Sequence, residues 1–149
     1  MKKIILAMLL FTLTSLCVFA DHDERFFNAL SNCTPYVSNG TVDTQGISAD
    51  YKSQIVGWMN DKCLYKETVQ FSGVDSCVTC KFTQNQINEL VKVMKAYQTV
   101  QTYSGEEPDL SDIENVKNNP VIKVWNKYLQ DSSTCSLDIS GEFAELMRE

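Results

Sequence analysis

One histidine occurs in the whole chain, His22, and it lies two residues after the point where an N-terminal leader would be cut. Without a second histidine, a Ser-His-Asp or Cys-His catalytic set would have to take its base from a flexible end, which removes most familiar hydrolase designs. Phosphate-cradling glycine loops are absent, as are basic patches, internal repeats and low-complexity tracts. The cysteines include a single C-x-x-C, with no second pair to complete a zinc set. The acidic stretch from Glu106 to Glu114 lacks the spaced oxygen ligands and central glycine of a calcium loop, and reads as a solvated linker. No cofactor and no metal is expected.

The first twenty residues have the order of a secretory leader. Lys2 and Lys3 precede an apolar run from Ile4 to Leu13, and Val18-Phe19-Ala20 ends the segment before the acidic Asp21-His22-Asp23-Glu24. A membrane anchor is the rival reading, but Thr12, Thr14 and Ser15 cut the apolar segment short of the roughly 20 residues that span a bilayer. A lipoprotein signal fails because Cys17 follows the bulky Leu16. Residues 1–20 are therefore expected to be a signal peptide, and 21–149 a single domain that is secreted or periplasmic, with no stable membrane insertion after cleavage. Loss of the two leader lysines takes the formal charge from −6 to about −8, a surface that repels phosphate backbones, so no nucleic-acid partner is expected.

Five cysteines survive cleavage: Cys33, Cys63, Cys77, Cys80 and Cys135. Export would place them where disulfides persist, and an odd number leaves one over, free to join a second chain in a disulfide-linked homodimer. Many connectivities are open. The preferred one pairs Cys33 with Cys63, and Cys135 with either Cys77 or Cys80. A redox role for Cys77-Val78-Thr79-Cys80 would need the first thiol at a helix N-terminus, whereas here the motif lies within a predicted strand, its thiols on opposite faces.

The fold class expected is α+β: an N-terminal helix, a three- to four-stranded antiparallel meander and two main C-terminal helices packed on the sheet. Asp23–Ser31 reads as a short helix with Phe26, Phe27 and Leu30 on one side. Asn39-Gly40 and Gln45-Gly46 make Pro35–Ala49 a pair of turns around a short strand at 41–43. Strands follow over 51–59, 63–71 and 76–82, joined by a three-residue loop at Asn60-Asp61-Lys62 and a turn at Gly73-Val74-Asp75. Thr83 and Gln86 form a capping box opening a helix to about Tyr103. Asn119-Pro120 is a second helix start, running to about Gln130, and Asp131–Ile139 reads as a loop. Residues 142–148 read as a last helical turn. The layout resembles that of cystatin-like and other helix-on-sheet exported domains in outline alone, and no residue role follows from it.

Glu67 falls on the apolar side of its strand, where a carboxyl could serve as a general acid or be held in a pair. Trp58, Tyr65 and Trp125 are the aromatics most suited to binding, either lining a cleft for a small apolar ligand or anchoring a partner protein. Asn32-Cys33-Thr34 and Asn39-Gly40-Thr41 match the acceptor triplet for N-glycosylation. The leading functional expectation is a small exported binding or accessory protein without enzymatic activity. Its alternatives are a carrier of a small apolar ligand and an enzyme built on carboxylates or on the Cys77/Cys80 pair.

Overall fold

The computed structural model describes residues 23–44, 47–104 and 118–141. The leader, the acidic linker and the last helical turn expected from the sequence lie outside them. Within them, a short helix α1 (Glu24–Asn32) precedes strands β1 (Tyr36–Thr44), β2 (Ile47–Met59), β3 (Lys62–Phe71) and β4 (Val74–Phe82). Helices α2 (Gln84–Ser104) and α3 (Pro120–Leu129) follow, and β5 (Cys135–Gly141) closes the sequence of elements. The sheet is an antiparallel meander in the order β1-β2-β3-β4-β5.

Two expectations are corrected by this sheet, which has five strands rather than three or four. The region 35–49 is not a pair of turns: it holds β1 and the start of β2, paired continuously from Tyr36↔Ile55 to Thr44↔Ile47. Asn39-Gly40 lies within the strand, where the Tyr51 ring from the opposite strand sits about where a Gly40 side chain would begin, 3.1 Å from the place of its Cβ. The ring supplies the packing that glycine lacks, so the turn signal is overridden. The second correction is at the end: 131–139 is not all loop, because β5 pairs with β4 from Cys135 to Gly141.

Local chemistry sets the element boundaries. Asp23 caps α1 by accepting the Phe26 N–H at 2.9 Å, and α1 ends at Cys33 in the left-handed conformation. The capping box is formed: the Thr83 N–H donates to the Gln86 side chain at 2.8 Å and the Gln86 N–H to the Thr83 hydroxyl at 3.3 Å. Asn119 accepts the Val121 N–H at 2.9 Å with Pro120 behind it in the first turn of α3.

Each central strand buries one parity of side chains, and the helices cover that side. The core joins Phe26, Phe27 and Leu30 of α1, Ile87, Leu90 and Met94 of α2, and Val121, Trp125 and Tyr128 of α3 to Ile55, Tyr65, Val78 and Phe82 of the sheet. α2 and α3 are also tied by Glu89, which accepts the Tyr128 hydroxyl and pairs with Lys127. On the opposite side of the sheet Lys52, Lys66 and Thr68 are exposed.

Two disulfides brace the frame. Cys33–Cys63 ties the end of α1 to β3, and Cys80–Cys135 joins directly opposed residues of β4 and β5. Both are within the preferred pairing read from the sequence. Cys77 is the thiol left over among the described residues.

Candidate functional site

Three groups bear on chemistry or binding. The first is the carboxyl of Glu67, in a row with Ser53 of β2 and Val78 of β4 on the helix side of the sheet. It is 1 % exposed. Its Oε2 accepts the Tyr65 hydroxyl at 2.7 Å and the Ser53 hydroxyl at 3.5 Å. Oε1 has no hydrogen-bond partner among the described residues, nor has the buried hydroxyl of Ser76 in the neighbouring row. Burial pushes the pKa of Glu67 up to about 7, outweighing the Tyr65 and Ser53 hydrogen bonds, which pull it down. Such a group holds a proton near neutrality. General acid work also requires contact with a substrate, and Glu67 is sealed from solvent. No cluster of three or more metal-ligating side chains forms among the described residues.

The second group is aromatic. Tyr65 and Trp125, marked by the sequence as candidates for binding, are both core residues, 4 % and 3 % exposed, and meet edge to face at 5.8 Å between ring centroids. Phe82 lies 6.4 Å from Trp125 and 5.6 Å from Tyr128. Between these rings and Leu90 and Met94 is a void of about 10 Å³, the room of about one water molecule.

The third group is the hairpin tip between β2 and β3. Asn60 and Asp61 both have positive φ, 50° and 61°, so the link is a tight two-residue turn and Lys62 already belongs to β3. Ahead of the turn, the register slips between Ile55 and Gly57, and Gly57 takes φ 125°, a conformation open to glycine and costly to other residues. The extra residue reverses the alternation. Trp58 thereby stands opposite Cys63 on the helix side, where its Nε1–H donates to the Asn32 carbonyl at 3.3 Å. Uninterrupted alternation would have put it on the other face with Lys52 and Gln54. Trp58 is still 45 % exposed and Met59, its neighbour, 55 %. The Cys33–Cys63 bridge lies beside them, so the tip is apolar and firmly held.

Strand parity puts Glu67 inside, and Trp58 is one of the aromatics the sequence offers for binding, whereas its neighbour Met59 is not among them. Plain alternation would put Met59 on the side of Tyr51 and Ile55, and Gly57, a glycine inside a strand pattern, is the signal that breaks it. Ser53 and Ser76, which line the Glu67 row and its neighbour, carry no sequence signal of burial. Cys77 and Cys80 lie on opposite faces of β4, with the Cys77 sulfur accepting the Thr68 hydroxyl at 3.9 Å on the side away from the helices. No family model, curated protein or solved structure matches the chain.

Proposed function

We propose that this chain is a small exported binding protein, secreted or periplasmic and without enzymatic activity, that meets a partner protein through the Trp58–Met59 tip. The observation that carries the reading is that two large apolar side chains, Trp58 on the helix side and Met59 on the other, both stand half-exposed at the end of one rigidly mounted hairpin. Exposed apolar surface is costly to keep on a soluble chain, and tryptophan on a preorganised element is a typical centre of binding energy. The leader-like N-terminus and the two bridges support the exported setting. The carrier alternative has less support, because the void among the described residues of sheet and helices is about 10 Å³ where small-molecule sites begin at about 300 Å³. The carboxylate alternative would rest on Glu67, which is buried and has no second acid within hydrogen-bonding reach among the described residues.

The test is site-specific photocross-linking of the full chain expressed with its leader in its own host. A photoreactive residue at position 59 is expected to give one discrete adduct, weakened by Trp58→Ser, in the extracellular or periplasmic fraction. Equal labelling from position 66, on the open face of the sheet, would overturn the assignment of the tip.

A further inference from the structure

The two edges of the sheet are built differently. β5 is the shorter, carries Asp138 at its middle and is bolted to β4 by the Cys80–Cys135 bridge. β1 runs nine residues in unbroken register with β2, has no proline, lysine, arginine or bulge along it, and carries its one acidic residue, Asp43, next to its last position. Those are the devices by which an edge strand usually discourages pairing with another chain. Among the described residues, no backbone hydrogen bond beyond its ladder to β2 involves Tyr36–Thr44, so its outer row of N–H and C=O groups is open. Val37 is 47 % exposed on it.

We infer that β1 pairs antiparallel with β1 of a second copy of this chain, about a two-fold axis at Asn39. The strand is complementary to itself at that register. Asn39 meets Asn39 of the partner, and the carboxamide both donates and accepts. Val37 meets the partner's Thr41, whose hydroxyl is already occupied by the Asp50 carboxylate at 2.7 Å and whose methyl remains to cover the valine. On the helix side Ser38 meets the partner's Gly40 beside the axis, and Tyr36 meets the partner's Val42 further out. No carboxylate or basic residue occurs from Tyr36 to Val42, so two acidic molecules meet along a seam that is uncharged at neutral pH. One strand back, Lys52 stands beside Asn39 and Asp50 beside Thr41, so the flanks of the seam carry both signs. An isologous contact of this kind closes after two copies and joins the two sheets into one.

A seam of one strand per copy is small beside the roughly 1,200–2,000 Å² of stable interfaces, so the pair is weak. The experiment uses the full, disulfide-formed chain with Cys77→Ser, which removes any thiol-linked dimer, produced without N-glycosylation because Asn39 lies in an acceptor triplet. Sedimentation velocity up to about 1 mM protein is expected to show a reversible monomer–dimer equilibrium. Val37→Lys changes an exposed side chain, leaves the near-ultraviolet circular dichroism intact and weakens the dimer about tenfold. Asn39→Cys in the same background is expected to form an interchain disulfide under mild oxidation in native buffer and to lose it in urea. A monomer throughout the range would overturn the inference, as would a dimer that ignores Val37→Lys and is not trapped by Asn39→Cys.

Discussion

Glu67 and Trp58 sit on adjacent strands, each where the other would be expected. The carboxyl is 1 % exposed in the middle of the sheet, and the indole is 45 % exposed at its end. Burying a carboxyl destabilises its charged form, whereas an exposed indole leaves stability nearly unchanged and makes the surface adhesive. The contrast separates what holds this fold from what the fold presents.

The largest expected effect comes from loosening the mounting of the tip. Cys33→Ser with Cys63→Ser should lower unfolding stability by about 2–4 kcal/mol in denaturant titration, and shift Trp58 emission as the end of α1 detaches from β3. If stability fell and the emission stayed put, the bridge would not be what holds the indole.

Glu67 comes next, and its sign can be worked out. The ordinary value is 4.5 and burial raises it to about 7, so between those pH values the folded chain keeps a proton that the unfolded chain releases. Stability from this site is complete below about pH 4.5, falls as pH rises, and levels off above about 7 after a loss of about 3 kcal/mol. Glu67→Gln should flatten that slope in denaturation curves taken from pH 5 to 8. The exposed or half-exposed carboxylates work the other way. Asp23 is lowered by the Phe26 N–H, Glu89 by the Tyr128 hydroxyl and Asp131 by Ser133, so their contributions are present at neutral pH and are lost as pH falls through the carboxylate range. A stability maximum in mildly acidic solution follows, and a maximum above pH 7 would contradict the buried carboxyl.

Gly57→Ala sharpens the comparison at the bulge itself. With φ at 125°, the substitution should cost about 1–2 kcal/mol and disturb Trp58, while Gly73→Ala, at a turn with φ 75° and open space around it, should leave the indole signal alone. The smallest stability effects belong to the exposed groups. Trp58→Ser should change stability by less than about 1 kcal/mol, because its one described hydrogen bond is solvent-exposed, and Cys77→Ser by less than about 0.5 kcal/mol. Thiol titration of the folded protein cut after Ala20 should find a single reactive cysteine, lost in Cys77→Ser.

Much of the frame was legible because it rests on local rules. The capping box at Thr83, the Asn119-Pro120 start and the alternation of β3 are short-range chemistry, and each appears within a residue or two of its expected place. Glu67 was legible for the same reason, since strand parity alone puts it inside. The failures are where tertiary contact overrides a local signal. Asn39-Gly40 reads as a turn until Tyr51 folds across it from a strand eleven residues later, and β5 is fixed by a bridge to Cys80 that no window of sequence contains. Trp58 reaches the helix side through one inserted residue, after which each later residue of that strand changes sides.

Cys77 and Cys80 give the last strand a means of checking its own alignment. Before the tail docks, Cys135 can be oxidised onto either sulfur. Once β5 lies beside β4, only Cys80 projects on the same side of the pleat as Cys135, and a bond to Cys77 forbids the native ladder. A molecule that closes the wrong loop is held out of alignment until thiol exchange releases it, so the refolding yield of the reduced protein should depend on a shuffling redox buffer, and that dependence should weaken when Cys77 is replaced by serine, which leaves four cysteines to sort.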